Sequence, residues 1–245
     1  AFHHCHHEYH HASFYYCNKN RINCNECQIF NLHHLNAAKV IASLRERGKM
    51  NPLRINMRFT PMHEIVRSSK FVTLSELVVI QAGYPFRGAI QPIPTGSVRA
   101  VQAKDISELG ELSCDDLIVT ELSGKREADW LKQGDILFIG KGSRHIACFV
   151  DKDLERTTCA PSLFLLHLKP RCLDLVDPLF ITWQLNQMPL QQYFQRSAEG
   201  SMQISIRKAV LASAPIALPD IQTQRTIAKL YSASLKENAL LYQLI

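Results

Sequence analysis

The spacing of apolar and polar residues changes character near residue 70 and again near residue 170. Between about 71 and 170 the apolar runs are short, separated by Gly, Pro and polar clusters, as expected of strands joined by irregular connections. Residues 72–81 (VTLSELVVIQ) predict a short helical turn leading into a strand, and residues 98–102 (VRAVQ) predict a second strand by alternation. Residues 117–120 (LIVT), 135–139 (DILFI), 146–150 (IACFV) and 162–168 (SLFLLHL) predict four more. Residues 82–88 and 130–135 read as turns, where Gly and Pro supply backbone angles that other residues resist. Beyond 170 the period becomes helical. Asp177 before Pro178 places a capping carboxylate ahead of proline at the first helical position, opening a helix over 179–187. Pro189 opens another through Phe194, residues 197–203 form a loop, and residues 215–219 form an extended segment between prolines. From Asp220, as N-cap, to Ile245 there is no Gly or Pro, and one long helix is predicted. The expected class is α+β: a β-rich domain with short helices, then a long protruding C-terminal helix.

Residues 1–56 differ from the rest. They hold eight of the 11 His and four of the eight Cys, including the C-x-x-C pair Cys24 and Cys27, whose spacing lets two thiolates reach one zinc ion. A second ligand pair at a recognisable spacing is missing, and consecutive His residues point apart on a regular backbone. The segment is expected to be an atypical head, disordered or not native to the folded body, with Met50, Met57 and Met62 as plausible starts. No metal site is expected. The expected division is therefore 1–56 head, 57–219 folded body and 220–245 C-terminal helix.

Composition narrows the class. Of 245 residues, 46% are hydrophobic and 20% charged, which excludes a wholly disordered chain. No apolar run reaches the roughly 18 residues of a membrane span. Sparse cysteines suit a reducing cytoplasm. The net charge of +6 is uneven: residues 1–56 carry seven Lys/Arg against three acids, and the remainder 21 against 19. A polycation that coats nucleic acid is disfavoured, whereas a reader with local basic loops fits.

No catalytic set assembles. The stretch from Gly134 to Gly142 has five residues between Gly134 and Gly140 instead of the four of a phosphate-binding loop, and Gly142 stands where a hydroxyl must hold magnesium. Residues 177–180 (DPLF) lack the second proline of an adenine-methyltransferase signature, and no Gly-rich cofactor loop precedes them. Cys148 and Cys159 sit in apolar runs as small hydrophobes. His145 reads as a polar loop residue rather than a base.

Residues 197–207 (SAEGSMQISIR), 215–219 (PIALP) and 222–228 (QTQRTIA) together resemble the end of a target-recognition domain in specificity (S) subunits of type I restriction–modification systems. There a glycine-polar loop, an I-P-L-P-like segment and an E-Q-x-x-I-A helix start follow in that order; Thr223 replaces the Glu. The front resembles the family too, through residues 80–87 (IQAGYPFR) and 130–137 (WLKQGDIL) followed by 141–143 (KGS). The resemblance covers residues 70–245. It implies a non-catalytic subunit that directs adenine methylation and DNA cleavage by partners. The full-length family form carries two such domains, so this chain resembles a half-length or truncated subunit. The implied partners are double-stranded DNA, modification (methyltransferase) subunits and a restriction (motor-nuclease) subunit. The implied cofactors, S-adenosylmethionine, ATP and Mg, belong to those partners and not to this chain.

In such a reader Arg pairs with guanine and Gln or Asn with adenine, while Lys grips phosphate. The candidates are Arg87, Arg99, Gln102, Lys104, Lys125, Lys141, Arg144, Gln203 and Arg207. On the C-terminal helix Ile227, Leu230, Tyr231, Leu235, Leu241, Tyr242 and Ile245 recur at three- and four-residue steps and form the candidate subunit contact. Either the domain itself or another chain must cover that stripe; a partner, including a second copy as homodimer, is the expectation. The competing function is a protein-interaction scaffold that uses the helix and leaves DNA untouched. A metal enzyme built on the head is a further rival.

Overall fold

A computed structural model of the chain describes residues 69–124, 126–198 and 205–243. The chain divides at Phe59, and all described residues belong to the second unit. The head over 1–56, with its Cys/His pattern, lies outside them.

The elements run β1 (Lys70–Thr73), the one-turn helix α1 (Leu74–Leu77), β2 (Val78–Ala82), β3 (Val98–Val101), β4 (Ile118–Thr120), β5 (Ile136–Ile139), β6 (Ala147–Phe149), β7 (Thr157–Cys159) and β8 (Leu163–Leu168). The helices α2 (Pro178–Leu185), α3 (Met188–Ser197) and α4 (Lys208–Ala212) follow, then β9 (Pro215–Leu218) and α5 (Ile221–Gln243). The fold is α+β and ends in a long helix, as its pattern predicts.

A four-stranded antiparallel sheet, in the order β2-β8-β5-β6, forms the middle layer. On one face Val78, Ile80, Ile136, Phe138 and Leu166 join Phe180, Ile181 and Leu185 of α2 and Leu190 and Phe194 of α3 in one core. On the other, Leu137, Ile139, Leu163 and Leu165 join Val101 and Cys159 from the second sheet, β4-β3-β7, and Leu117 just before β4. Strand β5 therefore alternates between two cores. Its four residues are all apolar because neither face meets water.

Two elements, β7 and α4, were not expected, and the extended segment between prolines gains a strand partner. Strand β7 (TTC) has no apolar signature, yet Thr157 and Thr158 are buried; their hydroxyls donate to Glu155 O and Asp129 O. Satisfied side chains make such burial affordable. The segment between prolines is a strand, β9, paired antiparallel with β1 from Lys70↔Leu218 to Thr73↔Pro215. Pro215 is its first residue, a place where a missing N–H is tolerated. Helix α4 is only five residues long and lies behind the loop sequence that hid it.

Both predicted caps are present. Asp177 Oδ1 accepts Leu179 N at 2.9 Å and Phe180 N at 3.1 Å. Asp220 Oδ1 accepts Gln222 N and Thr223 N, each at 3.0 Å, and Oδ2 accepts Thr223 Oγ1 at 2.6 Å. The Thr223 bonds hold the Asp220 carboxyl below its ordinary value.

Candidate nucleic-acid interface

The strand registers gather the loops. Ala82 lies opposite Phe164, Ile139 opposite Leu163, and Phe138 opposite Ala147. One end of the central sheet thus holds the exits of β2 and β5 and the entries of β6 and β8. Val101 lies opposite Cys159 in the parallel pair β3–β7, and Ala160 N donates to Val101 O at 2.8 Å. That brings the exit of β3 to the same end. The segments that leave this rim carry Gln102 and Lys104 just after β3 and Lys141 and Arg144 between β5 and β6, while Arg87 lies five residues past the end of β2.

Arg207 joins them from far along the chain. Lys141 forms an isolated bridge with Ser205, and Ile206 N donates to Gly140 O at 2.8 Å. Gly140 N and Lys141 N both donate to Ser162 O, at 2.9 and 3.1 Å. A Cβ on Gly140 would lie 2.4 Å from the Phe164 ring, so only glycine lets the loop approach β8 this closely. Gly142 has φ +129°, a conformation L side chains rarely adopt.

Arg87, Lys104, Lys141 and Arg207 are exposed, and Arg144 is half-buried beside Glu108, at 3.9 Å. Gln102 is half-buried, its N–H donating to Asp105 Oδ2 at 2.7 Å. Arg87 N donates to Ser123 Oγ at 3.1 Å in the loop after β4, whose last residue pairs with the first of β3. Arg99 stands apart: it is exposed in the middle of β3, between Val119 and Thr157. Beside it Arg156, with φ 43°, donates from Nε to Ser97 O at 2.8 Å and lies 5.5 Å over the Trp130 ring. Lys125 and Gln203 lie outside the described residues.

Two residues that shape the rim were not among the candidates named from the sequence. His145 is buried, and its Nδ1 lies 3.1 Å from Ile139 O. Asn186 takes Ala147 N on Oδ1 and gives Nδ2 to Ala147 O, both at 2.8 Å. His145 was legible as a polar loop residue but not as a buried one, and Asn186 stood among mixed neighbours with nothing to mark it. Away from the rim, His167 Nδ1 lies 2.6 Å from the buried Asp135 and Nε2 lies 2.8 Å from Gln81 Oε1, a polar tie across three strands. Burial pushes the Cys148 and Cys159 thiols up to about 12, which makes them inert as nucleophiles. Among the described residues no group of three or more His, Cys, Asp or Glu could hold a metal ion. No helix among them is long and apolar enough to cross a membrane.

Helix α5 is bound to the domain over its first three turns. Gln224, 1% exposed, accepts Asp177 N at 3.0 Å and donates to Pro219 O at 2.8 Å and Leu175 O at 3.1 Å. Ala228 is buried in the first core, Ile227 packs against it, and Tyr231 OH meets Asn186 Nδ2 at 3.1 Å. Two stripe residues, Ile227 and Tyr231, are thus engaged by their own domain. Leu230 and Leu240 are 67% and 62% exposed, and Leu235 is half-buried. Leu241 and Tyr242 lie in the last described turn, and Ile245 lies beyond it.

No family model and no curated protein matches the sequence. Solved structures do match the fold. The S subunit of a type I restriction–modification system from M. genitalium superimposes with a TM-score of 0.51 at 19% identity, over 80% of this chain and 44% of that one. The HsdS subunit from Thermoanaerobacter tengcongensis gives 0.51 at 15% identity, over 71% of this chain and 44% of that one. This chain therefore spans less than half the length of either subunit, and its fold is the target-recognition fold of type I restriction–modification S subunits.

Proposed function

We propose that the chain is a non-catalytic, sequence-specific DNA-binding subunit of a type I restriction–modification complex. One observation carries this reading. Segments far apart in sequence that carry Gln102, Lys104, Lys141, Arg144 and Arg207 leave the body at one rim, where strand registers and the Lys141–Ser205 bridge bring them together. Base readout needs guanidinium and amide groups on loops that stand clear of the fold, with lysines nearby for phosphate. The DNA-binding domain is 57–219, and α5 forms the subunit contact through Leu230, Leu235 and Leu240. Modification subunits that use S-adenosylmethionine and a restriction subunit that uses ATP and Mg supply the chemistry, in the cytoplasm.

A mobility-shift series on duplex DNA at increasing salt tests this. The expected result is affinity that falls linearly on a log–log plot, with a slope of about −0.9 for each phosphate contacted. Lys141→Ala should reduce the slope by about 1 and weaken all sequences alike if Lys141 holds a phosphate. Arg144→Ala should cost about 1–3 kcal/mol and relax preference at one base pair if Arg144 reads an edge. No measurable binding by the wild-type chain at low salt, with helix-mediated assembly intact, would leave the scaffold function instead.

A further inference from the structure

The loop that carries Lys141 and Arg144 is fastened at its base by two side chains directed inward. The His145 ring is 6% exposed and stacks on Phe138, with centroids 6.4 Å apart and planes at 14°. Its Nδ1 lies 3.1 Å from the Ile139 carbonyl. A carbonyl only accepts, so Nδ1 carries the proton. This bond joins the last residue of β5 to the residue that closes the loop. From α3, Gln191 Nε2 donates to His145 O and to Leu185 O, each at 2.8 Å. The same residue is thus held by its ring and by its main chain. Across the loop, Ser162 O and Ile206 N hold Gly140 and Lys141.

We infer that His145 and Gln191 are positioning residues for recognition: they set the directions in which Lys141 and Arg144 leave the rim, and so govern sequence discrimination more than gross affinity. This rests on the DNA-reading function proposed above. A base-edge hydrogen bond needs a donor–acceptor separation of about 2.7–3.2 Å. A loop free to shift by an ångström loses such bonds. Attraction to phosphates is long-ranged and survives that shift.

The test uses the full chain. Wild-type protein selects duplexes from a randomised pool, and its affinity for the selected duplex over a scrambled one defines a ratio. The ratio is then measured for His145→Ala, His145→Asn and Gln191→Leu. The Asn amide places a donor where imidazole Nδ1 stood, so it should restore the tie to Ile139. The ratio should fall about tenfold in His145→Ala and Gln191→Leu, the loss of roughly one edge contact. It should stay near wild type in His145→Asn, and affinity for the scrambled duplex should hold in all three. Both affinities come from one sample, so any unfolded fraction cancels. If His145→Ala does not fold, Gln191→Leu decides. An unchanged ratio in the variants overturns the inference alone. A wild-type chain that selects no sequence overturns the DNA-reading function, and the inference with it.

Discussion

Replacing Gln224 with leucine keeps the volume at the base of α5 and removes every hydrogen bond the side chain makes. The amide is 1% exposed and bonded to three main-chain groups: Asp177 N, Pro219 O and Leu175 O. Each such bond is worth about 1 kcal/mol net, and a partner left buried and unpaired costs about 1–3 kcal/mol. The expected loss is therefore about 3–5 kcal/mol, a large part of a stability of about 5–15 kcal/mol. For a domain of this size each kcal/mol lowers the midpoint by roughly 2–4 °C, so a drop of roughly 6–20 °C follows. Urea and thermal unfolding, followed by circular dichroism at two wavelengths, measure it. Asp177 also caps α2, so both helices should lose structure in one transition. A loss below about 1 kcal/mol with an unchanged urea slope would refute the claim that this amide fastens the helix.

Gly140→Ala should destabilise the domain by about 1–3 kcal/mol, because the new Cβ falls 2.4 Å from the Phe164 ring; chemical denaturation reads this directly. Cys148 and Cys159, with thiols raised to about 12 by burial, should resist alkylation at pH 8 in the folded protein and react on unfolding, as mapped by peptide mass spectrometry. Leu230→Asp with Leu240→Asp should leave the unfolding midpoint within about 4 °C of wild type, since exposed substitutions cost about 0.5 kcal/mol or less each. The same pair should abolish co-purification with modification subunits; retained assembly would remove α5 as the contact.

Strands buried on both faces were legible as unbroken apolar runs, as in ILFI of β5, and the caps at Asp177 and Asp220 were legible from local chemistry. Strand β7 was not, because its burial depends on Thr hydroxyls finding distant carbonyls. Basic and amide loop residues could be named one by one from the sequence. Their convergence could not, since Lys141 meets Ser205 only through pairings set by the whole fold. For the same reason the sequence showed His145 only as a polar loop residue and gave Gln191 no role: what matters is which carbonyl each faces. The apolar stripe of α5 was legible as a stripe. Its division between Tyr231, turned to Asn186, and Leu230, turned to water, depends on where the helix lands.

The pairing of β1 with β9 sets a timetable for folding on the ribosome. Lys70 finds its strand partner at Leu218, after all the other described strands have been made. At about 5–20 residues per second, the roughly 150 residues between them take about 7–30 s to synthesise. Through that interval β1 has an unpaired edge, the kind of surface that invites wrong partners. Strand β9 closes it, and α5 is the next element to emerge. Completion of the domain and emergence of the helix are therefore consecutive events in the life of the nascent chain.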